Sequence, residues 1–79
     1  MMTAEQTLNQ YYNEMRWRIL SLAADFDRVQ RAAGGTEAIG QDARIKALRA
    51  CVEQVLSSEA GRAERVQMLL SDMTPPPTR

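Results

Sequence analysis

The chain has 79 residues, enough for one small domain with a limited core. Ten basic and ten acidic side chains cancel to a net charge of +0, which withdraws the non-specific attraction to phosphate that general DNA or RNA binders use. One cysteine, Cys51, excludes an internal disulfide, and the absence of histidine removes the usual zinc and haem ligand sets, so no cofactor is expected. No apolar run has the length of a membrane span, and the polar start MMTAEQTLNQ lacks the basic-then-apolar order of a signal peptide. The expected location is the cytoplasm.

Three helical segments are legible. The first is expected over about residues 3–33. Thr3-Ala-Glu-Gln6 fits a capping box, in which the threonine hydroxyl and the Gln6 side chain satisfy opposing orphan amides. Apolar or semi-apolar residues then recur at Leu8, Tyr12, Met15, Ile19, Leu22, Phe26, Val29 and Ala33, in steps that alternate four and three. That is a heptad seam, the pattern of a coiled coil. Gly34-Gly35 stops the helix, with Arg28 and Arg31 in its last turns, where positive charge suits the helix dipole. GGTEAIG reads as a loop with Ile39 turned back onto apolar surface.

The second helix, over about residues 42–57, has Asp42 as its N-cap and a seam of Ile45, Leu48, Val52 and Val55, widened by Cys51 and Leu56. SSEAG breaks it. The third, over about residues 61–73, carries Ala63, Val66, Leu69, Leu70 and Met73, and Thr74-Pro75-Pro76-Pro77 ends it, because proline lacks the amide and pushes its predecessor out of the helical region. No window has the apolar–polar alternation of a strand. The expected fold is therefore all-α: a three-helix antiparallel bundle forming one helical domain over residues 1–74, followed by a proline-rich tail over residues 75–79. The two later helices are about half the length of the first and cover only part of its seam at any level.

Enzymatic chemistry has little support. Asp25 and Asp27 are two apart and do not face each other on a helix, so they make no acid–base pair. Asp25 is instead placed to neutralise Arg28, and Glu14/Arg18 and Asp27/Arg31 have the favourable spacing of helix ion pairs. Cys51 beside Leu48 and Val52 reads as a buried structural residue rather than a nucleophile, since reactivity needs an exposed electropositive setting. The glycines of GGTEAIG do not have the order of a phosphate loop. A helix-turn-helix reading is disfavoured because Glu64 and Asp72 accompany Arg62 and Arg65. Acids at Glu14, Asp25 and Asp27 spoil a membrane-surface face.

Three of the four aromatic residues fall in NQYYNEMRWRIL. Tyr12, Met15 and Ile19 belong to the seam and Tyr11 to its edge, whereas Trp17 points away from it and shares its face with Leu20 and Ala24. Tryptophan and arginine are the types enriched at binding hot spots, so Arg16, Trp17, Leu20 and Ala24 form the candidate partner-binding set, set against the plainer reading of a wide internal stripe.

The strings LAADFDRVQRA, DARIKALR and GRAERVQMLLSD, with the glycine segment between the first two, resemble a pattern of small uncharacterised bacterial all-helical proteins. The resemblance implies a bacterial, all-helical protein and carries no functional residue. The expected function is a non-catalytic protein–protein interaction or self-association module, either a homodimer or an accessory or adaptor subunit on a larger protein, with no small-molecule substrate. The alternatives are a small nucleic-acid-binding regulator and an accessory subunit of an enzyme.

Overall fold

The first helix, α1 (Ala4–Arg31), starts on the capping box. In the computed structural model, which describes residues 1–71, the Gln6 amide donates to the Thr3 hydroxyl at 3.1 Å and the Thr3 amide donates to Gln6 Oε1 at 2.9 Å. The Thr7 hydroxyl also donates to the Thr3 carbonyl, at 2.9 Å. Two otherwise orphaned amides are thereby satisfied, and the Thr3 carbonyl, which also accepts from the Thr7 amide at 2.9 Å, gains a second donor. At the far end Arg28 and Arg31 occupy the last turn, and Ala32 leaves the helix in an extended conformation. Gly34 then adopts φ 75, which an L side chain rarely tolerates. Gly35 is buried, and a Cβ there would overlap the backbone carbonyl oxygens of Val29 and Gln30. The two glycines of the pair thus do different work: one supplies a left-handed turn, the other lets the chain pass close under the end of α1.

The expected loop GGTEAIG is helical, and this changes the element count from three to four. A short helix, α2 (Gly35–Gln41), fills the segment, with the Gly35 amide donating to the Ala32 carbonyl at 2.8 Å. Its two glycines lie near its ends, where their entropic cost is least felt, and Glu37 sits in the first turn, where negative charge suits the dipole. Helix α3 (Ala43–Leu56) follows from Asp42, and α4 (Arg62–Ser71) completes an all-helical order without strands among the described residues. Met73 and the proline tail lie outside the described residues. The described residues form two compact units, Met1–Thr36 and 37–71, with the boundary inside α2.

In the second unit α3 and α4 pack against each other. Ile45 and Cys51 are buried at 8% and 7% exposure, while Leu48, Val52, Val66 and Leu69 are half-buried. The inward face of α3 therefore turns towards Cys51 and Gln54; Val55 and Leu56, placed on the apolar stripe by periodicity, are exposed. Arg65 of α4 fastens this end of α3. Its guanidinium donates to Gln54 Oε1 at 2.6 Å, to Ser57 Oγ at 2.8 Å, and to the carbonyls of Ala60 at 2.7 Å and Glu59 at 3.1 Å. Arg62 donates from Nε to the Ser57 carbonyl at 2.9 Å and from a second nitrogen to the same oxygen. The last turn of α3 has no basic residue of its own. The two arginines of α4 bring positive charge and donors to its negative dipole end and to the carbonyls of the connecting loop. Gly61, at φ 84, lets the chain turn into α4.

Arg65→Ala is expected to destabilise the α3–α4 unit by about 2 kcal/mol, since charge-assisted hydrogen bonds and the acceptors they leave behind are lost. Arg65→Lys should not restore it, because an ammonium cannot span the same set of acceptors. Urea unfolding followed by circular dichroism checks both.

Asp42 gives a pH signature. Its carboxylate accepts from the Arg44 amide at 2.8 Å and from the Arg44 guanidinium at 3.0 Å. The side-chain bond with Arg44, followed by the backbone bond, lowers its pKa from an ordinary 3.8 to about 2. A depressed folded pKa means that its contribution is complete above the unfolded value and is lost as pH falls through 3.8 towards about 2. Helicity should decline across that window, and Asp42→Asn, which keeps a capping oxygen but does not titrate, should flatten this part of the decline in a circular dichroism titration.

Candidate protein-interaction surface

α1 is 28 residues long, or about 42 Å at 1.5 Å per residue, and none of its residues is buried. Successive side chains turn by about 100°, so Tyr12, Met15, Ile19, Leu22 and Phe26 project from one side of the helix and Trp17, Leu20 and Ala24 from roughly the other. On the seam, Leu8, Tyr12, Met15 and Ile19 are exposed, Ile19 at 61%; Leu22 and Phe26 are half-buried. On the opposite side Trp17 is 68% exposed and Leu20 60%. The expected stripe of apolar residues is present in helical register, but it is open surface.

Two depressions mark this surface. One is lined by Arg16, Trp17, Ile19 and Leu20. It brings together three of the four residues singled out by the sequence, with Ile19 in place of Ala24, which is half-buried and does not line it. Sequence reasoning assigned Ile19 wholly to the seam. The angular arithmetic contained the missing signal: Ile19 flanks Leu20, so its side chain closes the strip of surface between the seam and Trp17. The other depression runs along the amino-terminal half of α1, where Leu8, Tyr11 and Met15 meet Met2 and Arg18.

Charge frames both. Arg18 pairs with Glu14 at 2.8 Å and Arg28 with Asp25 at 2.6 Å, as their spacing predicts. No ion pair joins Asp27 to Arg31 among the described residues. Arg16 has no ion-pair or hydrogen-bond partner among the described residues, and it lines the first depression together with Trp17. A weakly hydrated planar cation next to a large exposed aromatic is the composition of a binding hot spot rather than of a reactive centre.

Cys51 is free and buried in α3, and no group of three or more His, Cys, Asp or Glu side chains is placed to hold a metal ion among the described residues. No described helix is long and apolar enough to cross a membrane. No family model matches the chain, and neither a curated protein nor a solved structure matches it.

Trp17→Ala tests the exposure of this face. It should change monomer stability by no more than about 0.5 kcal/mol, as an exposed position does, rather than the ~3–5 kcal/mol of a core aromatic. Denaturant unfolding at a concentration where the chain is monomeric gives the answer.

Proposed function

We propose that the chain is a non-catalytic protein–protein interaction module whose contact element is α1. The observation that carries this reading is a 28-residue helix with apolar side chains on two opposite sides and no buried residue. Each apolar square ångström left in water forgoes about 25 cal/mol that a covering surface would recover. A surface of this kind serves either a second copy of the chain or a larger protein on which it docks as an adaptor or accessory subunit. Arg16, Trp17 and Leu20 are the residues assigned to partner contact, joined by Ile19.

A nucleic-acid role has less support than the composition alone would allow it. Arg62 and Arg65, the basic residues at the start of α4, spend their donors on the α3–α4 connection, so they do not offer a free cationic face to phosphate.

Two parallel measurements test the proposal: sedimentation velocity of the intact chain over a micromolar concentration series, and affinity capture from the cell extract with the Trp17→Ala chain as control. The expected result is a species heavier than the single chain, or a captured protein whose recovery drops with Trp17→Ala. A chain that sediments as a monomer throughout, and whose captured set is indifferent to Trp17, would overturn it.

A further inference from the structure

The two sides of α1 need not serve the same partner, and the charges beside the seam discriminate between occupants. With Tyr12, Ile19 and Phe26 as first heptad positions and Met15, Leu22 and Val29 as fourth, the flanking positions on one edge are Tyr11, Arg18 and Asp25, and on the other Asn9, Arg16, Ala23 and Gln30. These flanking residues set orientation and register in a pair of helices.

Consider two parallel copies in register. Arg18 then faces Ala23 and Asp25 faces Gln30, so no charge is answered; equal-sized residues also meet, tyrosine on tyrosine and phenylalanine on phenylalanine. Two antiparallel copies fully overlapped behave differently. Tyr12 meets Val29 of the second copy and Met15 meets Phe26, so large faces small or flexible in these layers, and Ile19 meets Leu22 of equal volume next to the two-fold axis. Along one edge Arg18 of each copy faces Asp25 of the other. The other edge holds Arg16 against Ala23 and Asn9 against Gln30, without conflict. Slipping this arrangement by one heptad in one direction sets Arg18 against Arg18 and Arg16 against Arg16; slipping it in the other sets Asp25 against Asp25. Only the fully overlapped register satisfies the charges.

The intrahelical pairs already present extend the argument. Arg18 holds Glu14 and Asp25 holds Arg28 within one helix. Joining Arg18 to Asp25 across the pair makes a string of alternating sign, Glu14–Arg18–Asp25–Arg28, on both sides of the dyad. Networks of this kind contribute more than isolated exposed pairs, and the four side chains are exposed to between 63% and 70%.

From this complementarity we infer that the occupant of the α1 seam is a second copy of this chain, bound antiparallel through Tyr12, Met15, Ile19, Leu22, Phe26 and Val29, with Arg18 of each copy opposite Asp25 of the other. The inference rests on the proposed interaction role and deepens it, because it leaves the Trp17 side outward in the dimer. A two-fold pair of helices would thus present two Trp17 faces, one on each outer side.

The test uses the intact chain. Arg18→Asp places two acids opposite each other twice per dimer, and Asp25→Arg does the same with two bases; each variant alone should dimerise on the order of tenfold more weakly than the wild type. An equimolar mixture of the two should recover the wild-type affinity, because every Arg–Asp facing pair is re-formed in the mixed dimer. Circular dichroism confirms that each variant is helical. Orientation is read separately in a Cys51→Ala background: Ile19→Cys mixed with Leu22→Cys should form a cross-chain disulfide under oxidising conditions, whereas Ile19→Cys alone should form little. Trp17 should remain accessible to a soluble quencher as the dimer forms. Rapid self-cross-linking of Ile19→Cys alone, or a mixture no tighter than its components, would overturn the antiparallel register. A wild-type chain that stays monomeric while a different protein is captured through α1 would overturn the second-copy occupant and leave the broader interaction role standing.

Discussion

A helix has side chains on every side of its axis and no means of covering them itself. This constraint governs α1. Its capping box and its terminal arginines satisfy the backbone ends locally, so the element is well specified by its own sequence. Nothing in those local devices removes Leu8, Ile19 or Trp17 from water. Helical stability in proteins comes mainly from tertiary packing of an apolar face rather than from propensity. A seam that runs over most of a 28-residue helix and is exposed at Leu8, Tyr12, Met15 and Ile19 is the basis for proposing that α1 is one half of a contact.

The second unit solves the opposite problem. The apolar core of α3 and α4 is small, with Ile45 and Cys51 its buried hydrophobic residues. Polar fastening compensates at the connection, where Arg65 reaches Gln54, Ser57, Glu59 and Ala60, and Arg62 reaches the Ser57 carbonyl. The acceptors are the Gln54 side chain at the end of α3 and the hydroxyl and carbonyls of the connection that follows it. Arg62 and Arg65 of α4 are thereby committed to structure, whereas Arg16 on α1 has no partner among the described residues and lines a depression with Trp17.

What the sequence disclosed follows from which forces are local. The Thr3 capping box, the Asp42 cap, the Gly34 turn and the Glu14–Arg18 and Asp25–Arg28 pairs each depend on residues within four positions of one another, and all are present. The helical character of Gly35–Gln41 was hidden because three glycines dominate the propensity of GGTEAIG; their placement around the helix ends, not their number, decided the outcome. The role of Arg65 was hidden for another reason: its partner Gln54 is on a different helix, and a polar residue on an apolar stripe looks like the stripe's edge. Periodicity also predicted which residues of α1 share a side, but it cannot distinguish a covered seam from an open one. Both have the same spacing. Flanking charge was needed to say what fits.

Oxidative footprinting of the intact chain by hydroxyl radicals, read by mass spectrometry across a dilution series, bears most directly on the claim that the α1 seam is an interface rather than a core. The account predicts that Met15 and Tyr12 are readily modified in dilute solution and become protected as concentration rises, while Trp17 stays reactive and Cys51 stays protected throughout. Protection of Met15 that is already complete at the lowest concentration, or reactivity that never changes with concentration, would contradict it.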